Sequence, residues 1–423
     1  MQKRVYIESL GCAKNLVDSE LFLYHIAQNY NYSIAKSPED SDIILINTCG
    51  FIEPAKQDSI EKILEYSCFK DKEIYVIGCL VNRYKEILKK SIPEVKNFLT
   101  TSEALKFFVK NENIKEVDFS KRKILTPLSY AYVKISDGCN RNCSYCAIPL
   151  IRGHLVVRNK NSIINEISNL CKVGFKEIIL VANDLLSYID ENKNDIFKLL
   201  EEIEKIDNLY RLRLLYIYPD LKILDIVKFI KNSKKICKYI EIPIQHISSN
   251  ILSKMKRPSD ENFYYKLFDE IRNILPEAVI RSTFIVGFPG ETLDDFKKLL
   301  NFLKKIKFNW AGFFKYSDEE NTEAYKLNNK IPDEEISQRY EEIVEAQKEI
   351  TEEWLSKRVG SEYEVIIDEI LPEEGIILSR GEYEAPEIDG NIILNYNKNL
   401  KVNDILKVKL KENFYYDIYA EIV

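Results

Sequence analysis

The residues best suited to chemistry in this 423-residue chain are its cysteines. Three of them fall within eight residues, in the run KISDGCNRNCSYCAIP, with the spacing Cys139-x3-Cys143-x2-Cys146. Three soft thiolates in one loop suit an iron-sulfur cluster. A tetrahedral structural zinc needs a fourth ligand, for which His154 is the nearby candidate. On a four-iron cluster, three thiolates leave one iron open to the amino and carboxylate groups of a small molecule. An electron carrier or scaffold, the competing class, normally closes its cluster with four thiolates.

Three more cysteines follow a second pattern. RVYIESLGC ends at Cys12, DIILINTCG reaches Cys49 and EIYVIGC ends at Cys79, each cysteine flanked by Gly11, Gly50 or Gly78, as Gly138 flanks Cys139. A residue without Cβ permits a tight turn and close approach to a bulky group. A lone free cysteine is usually a small buried hydrophobe. Three at equivalent strand ends, beside glycine, read instead as ligands. Cys68, Cys171 and Cys237 lack both features and read as packing residues.

Bringing distant cysteines together is the task of the elements around them. The first segment alternates strands with helical stretches near Lys14–Asn29 and Pro54–Phe69, which implies right-handed βαβ crossovers and a parallel sheet. The carboxyl ends of its strands lie along one edge, so Cys12, Cys49 and Cys79 are expected to converge. A polar, basic stretch, DFSKRKILTPLS, reads as a linker. Beyond it YAYVKISDGC, KEIILVAND, LYRLRLLYIYP, YIEIPIQH, EAVIRSTFIVGFPGE and NWAGFFKYSD read as strands of an incomplete (β/α)6 barrel, with helical stretches such as NKNSIINEISNLCKVG between them. Barrel sites sit at the carboxyl strand ends. Asn183, Asp184, Gln245, His246, Arg281 and the GFPGET turn with Gly287 are thereby candidates to line one mouth. Each has an ordinary alternative as a helix cap, a strand end or a turn. A charged helical pattern then carries Tyr340, Ile343, Ala346, Ile350 and Trp354 as a packing face, and short strands after Arg358 read as a small β-barrel. The fold class is α/β, with expected domains at 1–118, 131–357 and 358–423 and a linker at 119–130.

Composition narrows the setting. The net charge of -6 supplies no global field toward nucleic acid or anionic lipid. No run approaches the length of a membrane helix, and the amino-terminal residues lack an apolar signal core, so a cytoplasmic location is expected. An odd number of cysteines, nine, argues against a disulfide framework.

The CxxxCxxC loop closely resembles that of the radical S-adenosylmethionine superfamily. With Cys12, Cys49 and Cys79 ahead of it and SRGEYEAPEIDG near the end, the whole chain is similar to the methylthiotransferase family. That resemblance implies an N-terminal domain, a radical barrel and a TRAM domain. It also implies two 4Fe-4S clusters, one on Cys139, Cys143 and Cys146 with S-adenosylmethionine, the other on Cys12, Cys49 and Cys79 carrying the sulfur to be inserted. Tyr145, Asn183, Gln245, Arg281 and Gly287 become candidate contacts of S-adenosylmethionine. One S-adenosylmethionine would methylate the sulfur, and another would generate the radical that opens a substrate C–H bond. Family members modify either an adenosine of tRNA or an aspartate of small-subunit ribosomal protein twelve. SLGCAKNLVDSE is similar to the opening of the ribosomal-protein branch, whereas the tRNA branch more often reads GCQMN. Residues 358–423 carry seven basic side chains against fourteen acidic ones, the opposite of an RNA-binding footprint and suited to a basic protein or the assembled small subunit. The same resemblance implies an external electron donor and a sulfur source. Leu150 in AIPLIRG and the absence of Gln-Asp in VANDLLSYID depart from the family pattern.

Overall fold

In the run Ile43–Thr48 every residue is buried, as expected of a strand covered on both faces of a parallel sheet. The structure, a computed structural model, describes residues 2–29, 32–111, 117–258 and 260–423. Ile43–Thr48 is the middle of a five-stranded parallel sheet in the order Ser33–Ile34, Arg4–Ser9, Ile43–Thr48, Glu73–Gly78, Asn97–Leu99. The three inner strands are those the sequence pattern predicts. The edge strands are two and three residues long, too short to show a periodicity. Helices Ala13–Asn29 and Glu53–Ser67 supply crossovers, the second opening with Pro54 where a missing N–H costs nothing.

Six parallel strands follow in sequence order. Tyr130–Lys134, Glu177–Val181 and Arg211–Leu214 form one sheet, and Tyr239–Glu241, Val279–Val286 and Trp310–Lys315 another. A parallel bridge from Leu212 to Ile236 joins them. Helices Lys160–Val173, Ile196–Glu204, Ile223–Asn232, Glu261–Ile274 and Leu293–Ile306 alternate with these strands, and Asp333–Arg358 ends the segment. Strands and helices share one apolar core that includes Leu180, Ile240, Phe284 and Leu299. On the last helix Ile343, Ala346 and Ile350 are buried and Tyr340 and Trp354 half-buried, as the helical spacing predicts.

The chain ends in a closed barrel of Glu362–Leu371, Ile376–Arg380, Ile392–Asn395, Asp417–Ile422 and Ile405–Phe414. Its loop after Arg380 plugs the amino ends of the larger barrel. Glu177, at the start of its strand, holds Arg213 at 2.6 Å and Arg380 at 3.1 Å, and Asp389 accepts from Arg281 at 3.1 Å. A cavity of about 450 Å3 at this junction, lined in part by Tyr130, Asp368, Arg380 and Glu387, includes no cysteine.

The polar stretch expected as a linker alternates exposed side chains with buried anchors. Phe119 and Arg122 are buried, and Arg122 pairs with Glu20 of the first helix and, at 2.6 Å, with Glu166 of the barrel. A basic side chain between two carboxylates here fastens the first helix to the barrel. No helix among the described residues is long and apolar enough to cross a membrane.

Candidate metal centre

The carboxyl edge of the first sheet delivers Cys12, Cys49 and Cys79 together, each directly or shortly after its strand. Gly11, at φ +92°, makes the turn before Cys12; a Cβ there would stand 2.7 Å from the Cβ and 2.9 Å from the Sγ of Cys49. Asn15 stitches the strand ends, its Nδ2 donating to the carbonyls of Leu10 at 2.7 Å, Thr48 at 3.2 Å and Asn47 at 3.3 Å. Burial and the neighbouring Cys79 and Cys12 thiols push the Cys49 thiol up to about 12. Burial also raises Cys79, against the pull of Arg152. Burial acts the same way on Cys12, but Lys14 and Arg152 beside it bring that thiol below its ordinary value.

The second set lies on the loop after Tyr130–Lys134. Gly138, at φ +69°, crosses the returning chain so closely that a Cβ would meet the carbonyl oxygens of His154 and Gly153 at 2.2 and 2.7 Å. The Cys139 N–H donates to Gly153 at 3.2 Å, and the Cys146 N–H to Cys143 at 3.1 Å. Burial and the Cys143 and Cys139 thiols push Cys146 up to about 12, and burial raises Cys139.

Both sets fit a thiolate-bound cluster. Each is three free thiols with glycine making room beside it. The thiols raised by burial, Cys49, Cys79, Cys139 and Cys146, become ligands when a metal replaces their protons. Among the described residues no three His, Cys, Asp or Glu side chains are grouped around a single ion's position, and His154 is exposed.

The two sets are neighbours. Cys79 packs with Ala147 and Ile151, the residues that follow Cys146. From the same short helix, Ile148–Arg152, the Arg152 guanidinium reaches Asn15 Oδ1 at 2.9 Å, Asp18 at 2.6 Å and Asp137 at 3.2 Å. Lys134 pairs with the same two aspartates.

The other expected residues divide. Asn183 Nδ2 donates to the Gly138 carbonyl at 2.9 Å and so braces the cysteine loop, while Asp184 caps the following turn at Leu186 and holds Arg141 at 2.9 Å. Tyr145 is packed among Ile251, Met255 and Phe288. Gln245 takes a left-handed conformation, φ +74°, with its backbone bonded to Thr283 and Ile285. His246 is fully buried, accepting from the Ser248 N–H at 3.0 Å. Arg281 and Gly287 do not join the loop. The Arg281 guanidinium is taken by Asp389 and Glu241, and a Cβ on Gly287 would run into Ile336 at 2.5 Å, which makes this glycine a seat for the last helix. Sequence reasoning missed Arg257, whose Nη1 lies 3.8 Å from Cys143 Sγ and whose guanidinium lies 4.4 Å from the Tyr218 ring. It also missed Lys14, Asn15 and Arg152. Adjacency to Cys12 was the available signal for the first two; Arg152 had none beyond its place after the loop.

Three family models match in order: an uncharacterized protein family, UPF0004, over residues 4–100, the radical SAM superfamily over 133–303 and a TRAM domain over 359–423. A relative named ribosomal protein uS12 methylthiotransferase RimO, from Aquifex aeolicus, is 42% identical over 98% of this chain and 96% of its own length. The chain belongs to the radical SAM methylthiotransferase family. A Clostridium botulinum relative of the same name is 38% identical over 98% of this chain and 97% of its own. Among solved structures, the radical S-adenosylmethionine methyltransferase TsrM from Kitasatospora setae superposes with a TM-score of 0.53 at 12% identity, covering 74% of this chain and 75% of that one. This likeness shows the fold. The methylthiotransferase is therefore an enzyme whose superfamily implies a 4Fe-4S cluster and S-adenosylmethionine.

Proposed function

We propose that this enzyme replaces a C–H bond on the β-carbon of an aspartyl residue of ribosomal protein uS12 with C–S–CH3. The observation that carries the reading is the identity of 42% over nearly full length to a relative named for that activity. In this reading Cys139, Cys143 and Cys146 hold one 4Fe-4S cluster, Cys12, Cys49 and Cys79 hold a second, and the domains divide near residues 118, 130 and 357. The clusters, when bound, supply the electron that cleaves S-adenosylmethionine and the sulfur to be methylated. The chain's own residues do the placing. Asn15 fixes the strand-end loops, Asn183 fixes the turn at Gly138, and Arg152 holds the two thiol sets in register. Asn183, Tyr145 and Gln245 remain the proposed contacts of S-adenosylmethionine. An external reductant and a sulfur source complete the reaction.

Charge supports a protein substrate, although less of the C-terminal surplus is displayed than composition implies. Asp368, Glu384 and Asp389 are spent on Arg380, Arg358 and Arg281. Eight acidic side chains remain exposed on residues 358–423 against five lysines, an acidic surplus that favours a basic protein over tRNA.

The test is intact-mass analysis of small-subunit proteins together with nucleoside analysis of tRNA, from cells with and without the gene. Loss of the mass of CH2S from uS12 alone is the expected result. An unchanged uS12 with a methylthioadenosine missing from tRNA would transfer the activity to the alternative substrate.

A further inference from the structure

Burying a charged side chain is costly unless an opposite charge accompanies it. Of the eleven lysine and arginine residues buried among the described residues, nine are paired with a carboxylate. The two left over are Lys14 and Arg257. Arg257 stands beside Cys143 and belongs to the site already described. Lys14 stands two residues from Cys12, on the first turn of helix Ala13–Asn29.

The ammonium of Lys14 has weak company. Among the described residues its one hydrogen bond is to the Ala182 carbonyl, at 3.4 Å, and it lies 4.2 Å from the centre of the Tyr216 ring. Ala182 directly follows the barrel strand Glu177–Val181, and Tyr216 lies two residues past Arg211–Leu214. The N-terminal domain thus inserts one cation into the barrel's mouth. The nearest acids are committed elsewhere: Asp137 to Lys134 and Arg152, Glu241 to the Tyr216 N–H at 2.8 Å and to Arg281.

We infer that Lys14 is a specificity-determining residue that receives the side-chain carboxylate of the target aspartate. This rests on the proposed function. In an aspartate the carboxylate carbon is bonded to the β-carbon, so fixing the one fixes the carbon that is to lose hydrogen and gain sulfur. An adenosine or an asparagine offers no anion there. A buried cation that lacks a carboxylate partner disfavours such groups, which leave that position unfilled.

The competing role for Lys14 is as a counter-charge to the Cys12 thiolate, and the experiment separates the two. Affinities of the loaded enzyme for purified uS12, and for uS12 with the target Asp changed to Asn, are measured without reductant. Wild type, Lys14→Met and Lys14→Arg are compared, with iron and sulfide content confirming loading. Wild type is expected to prefer the Asp form by on the order of 100-fold, Lys14→Arg to keep much of that preference and Lys14→Met to lose it. A wild type indifferent to Asp or Asn overturns the inference by itself, without needing any variant to fold. So does a Lys14→Met enzyme that keeps the preference and differs only in cluster midpoint potential. Modification of uS12 with either result leaves the proposed function standing; no modification of uS12 by wild type, with modification of tRNA, overturns both.

Discussion

Cys79 shares one small buried cluster with Ala147, the residue directly after the last cysteine of the Cys139–Cys146 loop. The contact joins the end of a strand in one domain to the cysteine loop of another, so the two thiol sets are set side by side by ordinary core packing.

That arrangement predicts separable losses. Cys143→Ala is expected to abolish reductive cleavage of S-adenosylmethionine and to lower the iron content by about four atoms per chain. Cys49→Ala is expected to lose a similar amount of iron but to go on producing 5'-deoxyadenosine, without methylthiolated product. Iron analysis and chromatography of the reaction products decide the matter. A Cys49→Ala enzyme that still transfers sulfur normally would sink the two-cluster assignment.

Gly11 tests the cradle rather than the ligands. At φ +92° any side chain is strained by about 1–3 kcal/mol, and an added Cβ would press on Cys49 at 2.7 Å. Gly11→Ala should therefore lose iron from the N-terminal set while the Cys139 loop stays loaded. Electron paramagnetic resonance of the reduced protein distinguishes this from general unfolding, in which both signals fall together.

Arg152 sits between Asp18, Asp137 and Asn15, with Cys79 within its field. Burial opposes ionisation of Asp137, yet Lys134 and Arg152 together hold its carboxyl well below the usual range. Removing one partner from a buried charge cluster typically costs about 3–5 kcal/mol. Arg152→Ala should lower the melting temperature by several degrees and weaken iron retention at the N-terminal set. Arg152→Lys restores the charge but cannot span both aspartates and Asn15 in the geometry of a guanidinium. It should recover most of the stability and less of the iron.

How far the chain could be read in advance follows from where the information lies. Cys12, Cys49 and Cys79 announced themselves because a parallel sheet turns equivalent strand ends into neighbours, and that rule needs only the alternation of strands and helices. Arg152 and Arg257 did not, because a single basic residue looks the same in sequence whether it faces water, a thiol or a carboxylate; for the same reason Arg281, a candidate by its place on a strand, gave no sign of facing Asp389, 108 positions away. Gly287 was legible only in part, for a related reason. Its turn conformation was legible, but what its missing Cβ makes room for, Ile336, is a property of the packed helix. The polar composition of 119–130 suggests a linker but does not show that Arg122 within it is buried between two acids that the sequence places 102 positions behind and 44 ahead.

Glu177 ties the C-terminal barrel to the base of the larger one and predicts an acid sensitivity. Burial alone would raise its carboxyl, but Arg213, Arg380 and Arg211 around it bring it down to about 2 from an ordinary 4.5. A carboxyl lowered in the folded state stabilises the fold fully above its unfolded value and loses that contribution as pH falls toward its folded value. The contribution is about 3 kcal/mol, constant above roughly pH 5 and lost between there and pH 2. Glu177→Gln lacks this dependence. At pH 7 it should melt well below wild type, since three guanidinium groups are left around a neutral amide, and the gap should narrow as the pH is lowered through 4. Acid releases sulfide from both proteins alike, so the difference between their melting curves isolates this one carboxylate. A gap that stays constant from pH 7 to pH 3 would mean that the arginines, rather than the charge of Glu177, carry the junction.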